Sequence, residues 1–280
     1  MHTGLLVITD LDGTLLDHFS YSAEAARPAL DRLRAEAIPV IPNTSKTAAE
    51  VSRARLQLAP DSPFVVENGS AIHLPRTQFP DIADATIVDA DFSVIRLGVA
   101  YTDVLNALVE LATEYHFTGF YQMSVEKIAA LTGLSSAEAA LAAQREYSEP
   151  LLWQDSDAAL QEFKMELRGR GLRCLQGGRF LHVLGESDKG QAVKRLKQLY
   201  EARFGEAFIT IVLGDSDNDI DMLQQADVPV VIRSPVHDLP RLSGIEAPLI
   251  SRETGPAGWN TCVLTVLDQL ESSRSETTHG

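Results

Sequence analysis

The chain has 280 residues and a formal net charge of −15, from 24 lysine and arginine residues against 39 acidic ones. No lysine- or arginine-rich run opposes this charge, so its long-range field repels a polyphosphate backbone and excludes nucleic acid as an expected partner. Small anions stay acceptable, because a bound divalent cation and a few basic side chains can reverse the potential locally. With 45% apolar and only 6% aromatic residues, the composition is typical of an α/β protein.

The two cysteines, Cys174 and Cys262, lie far apart and show neither metal-binding nor redox spacing. We expect both thiols to be buried and unreactive. No apolar stretch reaches the roughly 18 residues that indicate a membrane span, and the apolar start of the chain lacks a basic segment and a cleavage site. The sequence therefore predicts a cytoplasmic protein with no membrane partner.

In chain order, the first predicted element is a strand at residues 4–9, a short apolar run that stops at Asp10. A helix is predicted at about residues 23–37, then a strand at 38–41 and a helix at 47–58. Strands and helices that alternate at this spacing form parallel βαβ units. The sequence therefore predicts a parallel sheet that includes the strand before Asp10.

The pattern changes after this first group of elements. Two short apolar runs on either side of Asn68 and Gly69 predict a hairpin. From about Pro75, helical and strand-like stretches alternate irregularly, which indicates an inserted domain. The parallel pattern returns with a predicted helix at residues 189–203 and an apolar strand at 208–213.

We therefore predict an α/β fold with a Rossmann-like parallel-sheet core that is interrupted by an inserted α/β cap domain. The discontinuous core is expected at residues 1–82 and 186–280, and the cap at residues 83–185. A cap of this kind closes over a site and excludes water during the reaction. Substrate choice is then expected to depend on the cap.

Two carboxylates, Asp10 and Asp12, follow the first predicted strand. At this spacing one can attack an electrophile while the other transfers a proton. Ligands of open α/β sheets bind outside the carboxyl ends of the strands. A solvated loop or helix cap is the commoner role of an isolated Asp-x-Asp pair, but the preceding apolar strand and the following Gly13 and Thr14 favour catalysis.

A second acidic segment, residues 214–219, follows the strand predicted at 208–213. Asp215, Asn218 and Asp219 offer oxygen ligands that suit a hard cation such as Mg²⁺, although a polar turn with a helix N-cap would use the same residue types. Two acidic strand ends in one sheet repel each other unless a cation holds them together. The two segments together therefore predict a metal site.

Four segments, in this order, resemble the motifs of the haloacid dehalogenase superfamily, type IIB cap group: residues 10–14, 44–46, 189–190 and 214–219. The resemblance spans nearly the whole chain. Four segments also resemble one family within that superfamily, the mannosyl-3-phosphoglycerate phosphatases: residues 43–47, 67–69, 176–180 and 254–259.

The resemblance implies a Mg²⁺-dependent phosphatase that hydrolyses mannosyl-3-phosphoglycerate to mannosylglycerate and phosphate through an aspartyl-phosphate. By this resemblance Asp10 is the nucleophile, and Asp12 protonates the leaving alcohol and later activates water. Thr44 would donate a hydrogen bond to a phosphoryl oxygen. Lys189 would supply the positive charge that lets the phosphate lie beside Asp10.

The resemblance also implies the metal ligands and the substrate contacts. The metal would be bound by Asp10, the backbone carbonyl of Asp12, Asp215, Asn218 and Asp219. The implied substrate-binding residues are Ser45, Lys46, Gln176, Gly177, Gly178, Arg179, Thr254 and Gly255.

Arg179 is the strongest candidate among these substrate contacts, because two glycines before it let the backbone approach an anion and its guanidinium can bind a carboxylate bidentately. The resemblance places the glycerate there, although a turn with a solvated arginine would look the same. Lys46 departs from the arginine of many superfamily members but matches the narrower family. Glu146 and Glu149 lie in a cap-like segment and are candidates for contacts with sugar hydroxyls.

Alternative functions stay open at the level of sequence. Another sugar phosphate, such as glucosyl-3-phosphoglycerate or sucrose phosphate, could be the substrate, because the epimer of one hydroxyl leaves no mark in sequence. A phosphohexomutase would use the same Asp10. A non-catalytic sugar-phosphate binding protein is disfavoured, because such a protein is expected to have lost Asp10 or Asp12. The oligomeric state and the preferred metal are not determined.

Overall fold

The computed structural model describes residues 3–58, 61–177 and 180–277. The chain divides into two compact units, one formed by Met1–Asn43 with Val193–Gly280 and the other by Thr44–Ala192. Residues 44–82 and 186–192, assigned above to the core, thus pack with the second unit. The predicted division into catalytic core and cap is a functional one and stays a prediction.

The strands are β1 (Thr3–Thr9), β2 (Val40–Pro42), β3 (Phe64–Val66), β4 (Ala71–Pro75), β5 (Thr86–Ile87), β6 (Phe92–Arg96), β7 (Phe117–Gly119), β8 (Ser148–Trp153), β9 (Leu172–Gln176), β10 (Leu181–Gly185), β11 (Ala207–Gly214), β12 (Val228–Arg233) and β13 (Leu249–Thr254). The helices are α1 (Arg27–Ala35), α2 (Ala48–Leu58), α3 (Tyr101–Leu111), α4 (Val125–Thr132), α5 (Ser136–Ala142), α6 (Asp157–Gly169), α7 (Lys189–Phe204), α8 (Ile220–Leu223) and α9 (Gly255–Thr277). Among the described helices, none is both long and apolar enough to cross a bilayer.

The first unit contains a five-stranded sheet in the order β13-β12-β11-β1-β2, in which all neighbours are parallel. Strand β1 lies between β11 and β2. Its consecutive residues Leu6, Val7 and Ile8 are fully buried, so both faces of the strand are covered, as is typical of parallel sheets, and this explains its continuous apolar run. The indole of Trp259, on α9, is also buried and donates a hydrogen bond to Thr9 Oγ1 at 3.0 Å. The predicted Rossmann-like parallel sheet is confirmed.

The second unit contains two antiparallel sheets, β7-β8-β10-β9 and β3-β4-β6-β5. The predicted hairpin around Asn68 and Gly69 is confirmed, with Phe64 opposite His73. Strand β6 pairs along the whole of β4 and so joins this hairpin to the chain that follows it. This pairing explains why residues 64–75 pack with the second unit, an arrangement that the sequence did not predict.

Helices α3 and α6 supply the main apolar core of the second unit. Their side chains Leu108 and Phe163 are fully buried against Leu151 and Val183 of the sheet β7-β8-β10-β9. A smaller cluster around Phe120 includes buried residues of α4 and α5. The unit therefore has its own hydrophobic core, as expected of an inserted α/β domain.

Candidate active site

The strands β1 and β11 end side by side in the first unit. Thr9 is in register with Leu213, and the backbone N–H of Asp10 donates to the Leu213 carbonyl at 2.9 Å. Asp10 and Asp215 therefore both emerge at the carboxyl edge of the sheet, and both are buried. This edge is where open parallel sheets bind their ligands.

Three buried carboxylates form a cluster at this edge: Asp10, Asp215 and Asp219. Each offers one oxygen, and these oxygens lie within 4.8 Å of one another. Like charges this close are strongly unfavourable without a counter-charge, and an all-oxygen donor set suits a hard divalent cation. The residues present therefore fit a divalent metal ion.

Asp219 has a second role within its own loop. Its Oδ2 accepts hydrogen bonds from the backbone N–H groups of Asp215 and Ser216, at 3.0 and 3.1 Å. The side-chain oxygen of Asn218 accepts a hydrogen bond from the Ser216 hydroxyl. The N-cap and metal-site interpretations of this segment are therefore compatible. The predicted ligand roles of Asn218 and of the Asp12 carbonyl stay predictions.

Asp215 is oriented by groups on both sides of its carboxylate. Thr14 Oγ1 donates to Oδ1 at 2.9 Å, and His237 Nε2 lies 3.1 Å from Oδ2. Gly13 has a φ of +79°, and a Cβ there would lie 2.7 Å from Asp215 Oδ2. Glycine is therefore needed at position 13 both for the backbone conformation and for the space.

His237 is a site residue that the sequence analysis missed. It lies in the loop after β12, with its Nδ1 at 2.9 Å from the Asp238 carbonyl and its Nε2 facing Asp215. No motif marks this histidine. The useful signal is topological: β12 is parallel to β11, so the loop after it emerges at the same edge of the sheet as Asp215.

If the carboxylate cluster binds a divalent metal ion, replacing His237 with alanine should weaken that binding, with Mg²⁺ as the probe, by roughly 10-fold or more, because groups that orient a ligating carboxylate affect metal affinity to this extent. Isothermal titration calorimetry without substrate measures this directly. His116→Ala is the matched control, since His116 is exposed and pairs with Asp155 in the second unit. Equal Mg²⁺ affinities of the two variants would show that His237 does not orient Asp215.

Gly255, a predicted substrate-binding residue, also lies in the first unit beside the Asp10 loop. It begins α9 with a φ of +55°, and a Cβ there would lie 3.8 Å from the Gly13 carbonyl oxygen. Thr254 ends β13 immediately before it. This position is compatible with the predicted role, which stays a prediction.

The predicted phosphate contacts Thr44 and Lys189 both belong to the second unit, and both are buried. The Thr44 carbonyl accepts from Asn68 N–H at 2.9 Å. Gly69 packs so closely on the start of α7 that a Cβ would lie 2.1 Å from the Asp188 carbonyl oxygen. Within this unit, the turn at Asn68 and Gly69 therefore contacts both the loop that contains Thr44 and the backbone at the start of α7.

The other predicted substrate contacts in the second unit have local partners. Lys46 Nζ lies 3.7 Å from Glu50 Oε1, and the Gln176 side chain donates to the Gly177 carbonyl at 2.8 Å. Gly177 N–H donates to the Phe180 carbonyl at 2.9 Å. Gly178 and Arg179 lie outside the described residues.

Glu149 is not a candidate for sugar contacts. It is fully buried, and its two oxygens accept hydrogen bonds from the Tyr101 hydroxyl at 2.6 Å and the Tyr121 N–H at 3.0 Å. Burial raises the pKa of this carboxyl, opposed by the hydrogen bond from Tyr101. Burial also lowers the pKa of His182, on the paired strand β10, to about 3.

Comparisons with known proteins identify the family of this chain. Residues 7–239 match the family described as haloacid dehalogenase-like hydrolase. Two proteins named glucosyl-3-phosphoglycerate/mannosyl-3-phosphoglycerate phosphatase are similar over nearly the full length. The one from Methanococcoides burtonii is 36% identical, with 94% of this chain and 97% of that protein covered. The one from Persephonella marina is 33% identical, with 95% and 98% covered.

Solved structures share the fold at low sequence identity. A haloacid dehalogenase superfamily phosphatase from Bacteroides thetaiotaomicron has a TM-score of 0.67 at 18% identity, covering 94% of this chain and 95% of that one. A sucrose-phosphatase from Synechocystis has a TM-score of 0.57 at 16% identity, covering 94% and 98%.

The chain therefore belongs to the haloacid dehalogenase-like hydrolases. Within them it is a phosphoric monoester hydrolase, and its predicted resemblance to the mannosyl-3-phosphoglycerate phosphatases is confirmed.

Proposed function

We propose that this protein is a Mg²⁺-dependent phosphatase that hydrolyses mannosyl-3-phosphoglycerate to mannosylglycerate and phosphate. The observation that carries the proposal is the buried cluster of Asp10, Asp215 and Asp219 at the ends of two parallel strands. The substrate is suggested by the two relatives at 36% and 33% identity. Because their names include the glucosyl compound, glucosyl-3-phosphoglycerate is the second candidate substrate.

In the first step, the Asp10 carboxylate attacks phosphorus and the ester P–O bond breaks. Asp12 gives a proton to the leaving oxygen as general acid, so the product departs with a neutral hydroxyl rather than an alkoxide. In the second step, Asp12 takes a proton from water, which attacks the aspartyl-phosphate. Phosphate leaves and the Asp10 carboxylate is restored.

The chemistry requires positive charge, because a carboxylate must approach an anionic phosphate. A divalent cation bound at the carboxylate cluster would neutralise both groups. The buried ammonium of Lys189 and the hydroxyl of Thr44 would contact the phosphoryl oxygens, as the family resemblance implies. Ser45, Lys46 and the segment around Gly177 would bind the rest of the substrate.

The test is phosphate release from mannosyl-3-phosphoglycerate, glucosyl-3-phosphoglycerate, sucrose phosphate and simple hexose phosphates, each with Mg²⁺ and with a chelator. We expect the mannosyl compound to have the highest kcat/KM, and the chelator to lower activity by at least about 100-fold because the cluster loses its counter-charge.

The outcomes separate the alternatives. If phosphate is released fastest from glucosyl-3-phosphoglycerate or sucrose phosphate, the proposed mechanism stands and the proposed mannosyl substrate is wrong. Conversion of one hexose phosphate into another without phosphate release would indicate a mutase. Unchanged activity in the chelator would reject metal dependence.

A further inference from the structure

Glu67 is a fully buried carboxylate whose hydrogen bonds all lie within the second unit. Its Oε1 accepts from the Glu146 N–H at 2.9 Å. Its Oε2 accepts from the Tyr147 N–H at 3.1 Å and from both the N–H and the hydroxyl of Ser148, each at 2.7 Å. Four donors thus stabilise one buried charge and fix the backbone of residues 146–148.

Arg145 joins this carboxylate to a different part of the chain. Its guanidinium is buried with Nε 3.4 Å from Glu67 Oε2. Both terminal nitrogens donate to the Ser45 carbonyl, at 3.3 and 3.2 Å, and one also donates to the Ser148 hydroxyl at 2.6 Å. A planar guanidinium can make these bonds together, whereas a lysine ammonium cannot reach all of them.

The turn that contains Glu67 also contacts the loop of residues 44–46 through its backbone. Glu67 N–H donates to the Lys46 carbonyl at 3.0 Å, and Asn68 N–H to the Thr44 carbonyl at 2.9 Å. Glu67 and Asn68 have φ of +49° and +58°, a left-handed conformation that asparagine tolerates but that is unfavourable for glutamate. Such a conformation is kept only where the surrounding contacts stabilise it strongly, as the hydrogen bonds of this turn do.

We propose that Glu67 and Arg145 are positioning residues for phosphate binding. They hold the loop Thr44, Ser45 and Lys46 in the geometry that the phosphoryl group requires, and they join this loop to the segment 146–148 that begins β8. The proposal rests on the proposed function, since it assigns the loop to phosphate. A preformed loop binds phosphate without first losing conformational freedom, so loosening it should weaken phosphate binding specifically.

The experiment compares Arg145→Lys with Tyr101→Phe. Tyr101→Phe is the matched control, because it removes a partly buried hydrogen bond from the same unit, to Glu149, without changing a side-chain bond to the loop. The readout is the inhibition constant of inorganic phosphate, which occupies only the phosphate site. We expect Arg145→Lys to raise this constant at least 10-fold and Tyr101→Phe to change it less than about twofold.

A second readout needs no activity. Hydrogen–deuterium exchange should become faster at the Glu67 and Asn68 amides, which donate to this loop, in Arg145→Lys and not in Tyr101→Phe. If Arg145→Lys does not fold, Ser148→Ala replaces it, because this hydroxyl bridges Arg145 and Glu67.

The results distinguish the two proposals. Phosphate inhibition that changes equally in the test variant and the control would overturn the positioning role. If the wild type releases no phosphate from any substrate, the proposed function fails instead. Exchange then decides alone whether Arg145 fixes the loop, and unchanged exchange at the two amides would overturn that role.

Discussion

Asp10→Asn should abolish phosphate release, lowering kcat by at least about 10⁴-fold, a loss typical of removing a catalytic nucleophile. The amide has nearly the same shape as the carboxylate but cannot attack phosphorus. The expected result is therefore a folded protein whose kcat falls far more than its affinity for the sugar phosphate changes. Steady-state kinetics with mannosyl-3-phosphoglycerate, together with a thermal melt, measure both quantities.

Asp31→Asn is the control for this experiment, because Asp31 is an exposed residue of α1 paired with Arg34. It should leave kcat unchanged. If Asp10→Asn retained more than about a hundredth of wild-type kcat, Asp10 would not be the nucleophile, and the carboxylate cluster would have only a metal-binding role.

Glu67→Ala should lower the free energy of unfolding by about 3–5 kcal/mol, the range observed when one partner of a buried ion pair is removed. The substitution leaves the Arg145 guanidinium buried without its carboxylate, and it removes the acceptor of the N–H groups of residues 146–148. Urea denaturation measures the loss. If Glu67→Ala is too unstable to be purified as a folded protein, its free energy of unfolding has fallen at least as far as expected.

Glu24→Ala provides the comparison for an exposed glutamate. Glu24 pairs with Arg27 at the surface of the first unit, so its loss should cost less than about 1 kcal/mol. Equal losses in Glu67→Ala and Glu24→Ala would mean that the hydrogen bonds to Glu67 contribute no net stability.

The parts of the site that the sequence predicted share one physical cause. Apolar runs that end abruptly in carboxylates indicate buried parallel strands, and the ends of such strands meet at one edge of a sheet. Asp10 and Asp215 could therefore be placed together although they are far apart in the chain. The fold class followed from the same pattern of strands.

The parts that the sequence did not predict depend on tertiary contacts without a local pattern. His237 lies in a polar loop where nothing distinguishes it from a surface histidine. The sequence marked Glu67 only as part of residues 67–69, a segment that resembles the family, and no local pattern indicated its hydrogen bonds to residues 146–148, about 80 positions further along the chain. The pairing of β4 with β6 places residues 64–75 in the second unit, which no local sequence feature indicates.

The position of β1 inside its sheet has a consequence for synthesis on the ribosome. Its neighbours are β2, which follows closely, and β11, which begins at Ala207. At about 5–20 residues per second, the ribosome needs roughly 10–40 seconds to make the chain between β1 and β11. During that time one edge of an apolar strand stays unpaired and open to aggregation. Asp10 reaches its final surroundings only when β11 has emerged, so chaperone protection of the nascent N-terminal segment would matter most in this interval.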